Sequence, residues 1–534
     1  MEYFRLGVLL ASFQFVRMAF SVKIEIHLLK AKSSIFQIIA TGTMVMVDNS
    51  AKNQLEYYAA THPNDTTILA QNSLGAVFPS LTASLTVGPR GPVLLQDLFL
   101  IEKLQQSVRD KIVERNVHAK GAGAFGYFQV THDISKYTKA AFLQPGKRTK
   151  VAARFSGATG EADFAVKFYT EEGIYDFTGN NLPVFMVREP MIAHDITKAR
   201  RRNPQTHLPD LTAALDLISE RPEMAMFLIF FTSDMANPKS YRCMKGYGIN
   251  TYKMVNAKGK AVYVKLHWTP NQKQEFFTLE EAIKMYTQPD ILIEDLYDSI
   301  AQKNFPSWNF SIQVMTYEQA AKHPQNPFDA TKFWKTEEYP LIPVGKMVLN
   351  KNPVNYFVQV EQIAFSPSPS NMVPGIEASP DRLLHARMFA YPDSQLYRLG
   401  TNYAQIPVNR CPFETHTYLR DGSMNVGDNG DNSPNYYPNT FHGYNGNTKP
   451  YYRQHVDHIS GDVDRVDLGD DDNFSLPKYQ WEKHIGPEER QRMIKNAVAL
   501  LSLASKRVQQ KVITNILLPI NEDLANTVKA ALKL

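Results

Sequence analysis

Arg387 and Tyr391 stand four residues apart in a stretch of helical character, 382–391. That spacing puts a guanidinium and a phenol on one helical face. A cation beside a phenol favours the phenolate, an anionic oxygen donor suited to ferric iron. Pro392 is expected to stop this helix. A second reactive group lies between Glu114 and Tyr127, where His118 follows Arg115 and precedes Gly121, Gly123 and Gly126. A neutral imidazole both takes and returns a proton near pH 7. The glycines allow the close approach that a flat, buried ligand would demand. Taken singly, each residue also has a plainer reading: a surface Arg–Tyr pair, or a structural histidine.

The elements that must position these groups are short. Runs of β-branched and aromatic residues at 125–131, 151–155, 164–169, 184–187, 247–255, 261–268 and 308–315 alternate with turns. That spacing predicts an antiparallel barrel. Helical periodicity marks 211–220 and 279–302. Residues 336–440 are rich in Pro and Asn, with few periodic runs, as in a segment that wraps another surface. The stretch after 441 is polar and acidic and reads as a linker. Near the C-terminus, Met493, Ala497, Leu500, Leu501 and Leu503 are expected to form one apolar helical face.

With 534 residues, 43% of them hydrophobic, the chain has ample material for a large core. Its net charge of +5 is spread along the chain with no dense Lys/Arg stripe, which argues against nucleic-acid binding. Two cysteines, Cys243 and Cys411, exclude a disulfide scaffold and fit a reducing intracellular compartment. The apolar run 6–16 is too short to span a membrane, so no stable membrane span is expected. Glu2 and Glu25 weaken its reading as a signal peptide or presequence. Leu532-Lys533-Leu534 is a weak form of the Ser-Lys-Leu address, consistent with a peroxisomal or cytoplasmic protein.

The same segments, together with Arg154-Phe155-Ser156, Gly179-Asn180-Asn181, Asn352-Pro353-Val354-Asn355-Tyr356-Phe357, Arg387-Met388-Phe389-Ala390-Tyr391-Pro392-Asp393 and Pro434-Asn435-Tyr436-Tyr437-Pro438-Asn439, resemble the haem catalases of animal type. These blocks keep the family's order over residues 80–445. The resemblance implies an α+β catalase fold. Residues 1–85 would be an N-terminal arm and 86–335 an antiparallel eight-stranded β-barrel that holds haem. Residues 336–440 would be a wrapping segment with the proximal haem helix, 441–480 a linker and 481–534 a C-terminal helical domain.

The implied cofactor is haem b, with Tyr391 as the axial ligand of its iron and Arg387 beside it. Arg115, Arg154 and Arg398 would meet the propionates, and Val117 would touch the haem. His118 would shuttle the proton, Asn180 would hold the peroxide, and Ser156 would orient the His118 ring. The implied reaction turns two H2O2 into O2 and two H2O, protecting against oxidative stress, in a homotetramer. The alternative is a haem-binding, catalase-like paralogue with weak activity or with peroxidase activity.

Three departures from the family's pattern matter. The connection after Ser156 is shorter and lacks the acidic residue of the substrate channel, and Gly157 and Ala158 are small. Ala193 and Met186 stand where the family has aromatic residues. Both changes predict wider access and easier haem loss. Finally, Met226, Met235, Thr269 and Thr336 occupy the positions of a histidine, an arginine, a lysine and a histidine at the family's nucleotide site. Phe230, Tyr247 and Trp334 remain there. No tightly bound NADPH is therefore expected.

Overall fold

Apolar and polar side chains alternating at a period of two build the central sheet. The computed structural model of the chain describes residues 35–38, 44–157, 161–278, 281–282, 287–367, 373–466 and 471–534. The apolar run 6–16, Ala158 and part of the expected helix 279–302 lie outside them. The described part of that helix is Ile291–Ala301. The chain divides into two units, residues 1–112 with 297–304, and residues 113–296 with 305–534. In the first, strands β1 (Ile35–Ile38) and β2 (Met44–Val47) pair antiparallel. Helix Leu98–Arg109 follows, its N-terminus capped by Asp97, whose carboxylate accepts from Leu100 N at 3.2 Å.

The second unit holds the barrel. Its strands are β3 (Gly121–Val130), β4 (Arg148–Ser156), β5 (Asp163–Thr170), β6 (Gly173–Asn180), β7 (Gly246–Tyr247), β9 (Ala261–Pro270), β10 (Ser307–Met315) and β11 (Ile342–Lys351). Each pairs antiparallel with its neighbour, and the pairing of β10 with both β9 and β11 closes the ring of eight strands. β8 (Tyr252–Val255) and β12 (Ile376–Ala378) extend the sheet beyond β9.

Alternation then decides what faces where. Phe128, Phe155, Phe164, Phe168, Phe177 and Trp268 point inward and meet edge-to-face or stacked, with Phe155 and Phe164 5.0 Å apart. Such pairs contribute about 0.5–1.5 kcal/mol each beyond their buried area. The residues between them point outward: Arg154 and Ser156 on β4, Asp163 and Lys167 on β5, and Asp176, Thr178 and Asn180 on β6. This outer wall is itself covered. Lys167 and Asp176 are paired at 2.8 Å beneath it, and Ala152 and Ala165 pack under Ile363 and Phe365.

Several elements depart from expectation. β6 escaped the strand pattern because Gly173, Asp176 and Gly179 look like turn residues. Asp176 is instead a buried ion-pair partner, and Gly179 is required because a Cβ there would collide with Tyr247 O. β11 falls inside the segment expected only to wrap. Its Pro343 sits beside a bulge at which the pairing with β10 shifts, so its missing N–H costs the ladder little. Val184, Met186 and Val187 are buried but the stretch is irregular, since an apolar run alone does not separate a strand from other core-filling chain. In helix Pro487–Ser502, Met493, Ala497 and Leu501 are buried, whereas Leu503, just past its end, is exposed. No helix among the described residues is long and apolar enough to cross a membrane.

Candidate functional site

The sheet register lines up the site. Gly121 opposes Ser156, Ser156 opposes Asp163, Asp163 opposes Asn180, and Asn180 opposes Tyr247. One row across five strands thus carries Ser156 and Asn180 on the outer wall. The next row on the same face carries Arg154 and Thr178. His118 lies three residues before Gly121, at the mouth of β3.

His118 has a left-handed backbone, with φ at +59°. A non-glycine residue held there costs roughly 1–3 kcal/mol and persists only where its surroundings enforce it. Buried Arg154 does so, because its Nη2 donates to His118 O at 2.9 Å and to Ala119 O at 3.0 Å. Val117 beside it is half-exposed. Ser156 Oγ is fully buried without a hydrogen-bond partner, so the structure does not join it to the His118 ring.

Three arginines converge beside this row. Arg115 Nη2 donates to Val360 O, Glu361 O and Ile363 O at 2.8–3.0 Å. Arg398 Nη2 donates to the same Glu361 O at 2.8 Å, and both guanidinium groups lie within 4 Å of Glu361 Oε1. Arg154 Nη1 is 3.7 Å from Asp163 Oδ2. Burial, and then repulsion from Arg154 and Arg398, brings the Arg115 guanidinium down to about 9. Three buried cations thus face two carboxylates, Glu361 and Asp163. Arg154 Nε, like Ser156 Oγ, is buried and unbonded. This is a site built for an anionic group, and it fits the carboxylates of a haem.

Over the Thr178 end of this row, helix Arg382–Leu399 carries Arg387 and Tyr391 on one face. Arg387 Nη2 donates to Tyr391 Oη at 3.0 Å and to Thr178 O at 3.2 Å, and its Nη1 donates to Asn250 Oδ1. Asn250 Nδ2 donates in turn to Asp381, the residue that caps this helix. Burial would lower the Arg387 guanidinium, but the phenols of Tyr391 and Tyr252 hold it above its ordinary value. The helix does not stop at Pro392. A proline inside a helix costs about 3 kcal/mol or more. Here Arg387 is anchored before it, and Arg398 after it by its bonds to Glu361 O and Gln395. Among the described residues no cluster of three or more His, Cys, Asp or Glu side chains gathers as a metal site. Tyr391 is an oxygen donor that would suit the iron of a haem.

The glycines serve another purpose than expected. A Cβ at Gly123 would stand 2.7 Å from Val360 Cγ2, and at Gly121 and Gly126 it would collide with Phe155 O and Val348 O. They admit neighbouring protein chain rather than a flat ligand. Sequence reasoning also missed Glu361, Asp163, Asn250 and Glu161. Glu161 accepts from Asn180 Nδ2, so the shortened connection carries an acidic residue after all. Register could have suggested Asp163, once Ser156 and Asn180 were placed on the two strands that flank β5; nothing local marks the others.

The catalase family model matches residues 71–443. The chain is 47% identical to a catalase of Glandirana rugosa over 462 residues, covering 84% of this chain and 86% of that one. It is 46% identical to a catalase of Danio rerio over 463 residues, covering 84% and 87%. Among solved structures, a fungal catalase superposes with a TM-score of 0.83 at 37% identity, covering 87% of this chain and 96% of that one. Catalase A of Saccharomyces cerevisiae superposes with a TM-score of 0.82 at 36% identity, covering 87% and 99%.

Proposed function

We propose, for a chain that belongs to the catalase family and turns hydrogen peroxide into water and oxygen, that its residues hold haem b between Tyr391 and His118. The observation that carries this reading is the pairing of two features. One is a phenol bonded to a buried guanidinium at 3.0 Å, and the other is the cluster of Arg115, Arg154 and Arg398. When bound, haem supplies the iron at which peroxide is reduced and oxidised in turn. Tyr391 would offer its iron an oxygen donor, with Arg387 favouring the anionic form. Arg115, Arg154 and Arg398 neutralise the propionates. Val117, half-exposed beside His118, would touch the haem.

His118 then takes a proton from one peroxide oxygen and returns it to the other. Asn180 holds the peroxide with an N–H that does not titrate. Ser156 Oγ, with no protein partner, is free to bond the His118 ring. Purified, haem-loaded protein should release one O2 for every two H2O2 consumed. Oxidation of an organic donor without oxygen release would favour the peroxidase alternative instead.

A homotetramer accounts for the exposed apolar side chains of the late wrapping segment and linker. Leu419, Val456, Ile459 and Val463 are nearly fully exposed, and Phe413, Tyr437 and Phe441 are largely so. A surface of this kind is normally covered by a partner. Light scattering should return four times the chain mass, and a stable monomer would refute the assembly.

Of the altered nucleotide positions, Met226 lies in the core and Met235 packs against it, whereas Thr336 is exposed. Met226, Phe230 and Trp481 are buried in one apolar cluster, with Met235 and Phe333 packed against it. Lys245 and Lys335 are the lysines nearby in sequence. Lys335 is bonded to Glu338 at 3.1 Å and lies over the Tyr479 ring, and burial lowers Lys245. Losing two charge-assisted bonds of roughly 1.5–3 kcal/mol each removes at least about a hundredfold in affinity. NADPH titrated into the protein should therefore show no sub-micromolar site by fluorescence. A stoichiometric nucleotide in purified protein would reverse this conclusion.

A further inference from the structure

We infer that Glu161 is the positioning residue of the distal asparagine. The connection between β4 and β5 ends where Ala162 N donates to Asn181 Oδ1 at 2.8 Å and Asn181 N donates to Ala162 O at 2.9 Å. These two bonds fasten the end of the connection to the end of β6 and lay Glu161 over Asn180. Both residues are buried. Asn180 Nδ2 donates to Glu161 Oε1, and Glu161 Oε2 lies 3.3 Å from Arg200 Nη1. Arg200 is fixed in turn at the end of helix Pro190–Ala199, where its N–H donates to Ile196 O at 3.1 Å.

The chemistry of the contact sets its consequence. An ionised carboxylate only accepts, whereas an amide has an accepting end and a donating end. Glu161 therefore decides which way the Asn180 amide faces, engages one of its two N–H groups and leaves the other to donate to a ligand on the haem iron. A buried carboxylate needs a counter-charge, and Arg200 supplies it from the surface. Glu161 acts through Asn180 and does not touch the peroxide. The inference rests on the reading of Asn180 as the peroxide-holding residue.

Cyanide titrated into the ferric haem-loaded protein, followed by the Soret band, is the probe. Glu161→Ala should weaken cyanide binding roughly three- to tenfold, the value of one hydrogen bond made at random instead of on aim. Glu161→Gln should stay within about twofold of the parent, because its carbonyl accepts the same N–H. Should Glu161→Ala fail to take up haem, Glu161→Met carries the same comparison with the volume filled. In an Asn180→Ala background, removing Glu161 should cost nothing further. An equal loss in that background, or no loss in the single variant, overturns the inference. A chain that takes up no haem, or an Asn180→Ala variant with unchanged cyanide affinity, instead overturns the reading on which it rests.

Discussion

His118→Ala is expected to retain haem and to release oxygen about 10²–10⁴-fold more slowly than the parent, the usual contribution of a general acid–base group. The substitution removes the imidazole and leaves the backbone anchors in place, since Arg154 bonds the carbonyl of His118 and not its ring. Alanine inherits the left-handed backbone at φ +59°, at a cost of the same kind that histidine already bears. The barrel and the arginine cluster do not depend on the ring, so haem occupancy separates two explanations. Oxygen release measured alongside the Soret band decides between them. Full haem with lost oxygen release marks a proton shuttle, whereas lost haem marks a structural histidine. Near-normal oxygen release at full occupancy would remove His118 from the chemistry.

Tyr391→Phe is expected to reduce haem retention by at least the roughly 10–100-fold that loss of a supporting group alone costs a metal site. What haem remains should show an altered ferric spectrum. The change deletes a single oxygen. Arg387 loses its 3.0 Å bond to that oxygen but keeps Thr178 O and Asn250 Oδ1, so the guanidinium stays satisfied and the helix stays anchored. The effect therefore reports on the donor and not on folding. Haem content per chain by pyridine haemochrome, with the visible spectrum, makes the measurement. A stoichiometric haem with an unchanged spectrum would place the axial ligand elsewhere.

The Arg387–Tyr391 pair was legible in the sequence because its geometry is local. Four residues along a helix fix the face, whatever the rest of the chain does. Most barrel strands were legible for a similar reason, since a period of two is written along each strand. The ordered blocks around His118, Arg154, Asn180 and Tyr391 carried the family. Other features are set by contacts between residues far apart in the chain. β6 reads as turns until Lys167 is seen to bury Asp176, and β11 reads as wrapping segment until the bulge beside Pro343 is seen. Pro392 reads as a stop until bonds on both sides of it hold the helix through.

The same division runs through the site. Arg115, Arg154 and Arg398 are scattered over 284 positions of sequence, and only folding brings them near one another and Glu361. Gly121, Gly123 and Gly126 announced a close approach, but the partner in that approach is Phe155, Val360 or Val348. Glu161 drew no notice in the sequence. It meets Asn180 only because strand register and two hydrogen bonds between Ala162 and Asn181 bring the ends of β5 and β6 together. Residue type and short spacing determined which chemistry this chain has the groups for. Strand register and side-chain packing, which depend on the whole chain at once, decided which of those groups meet.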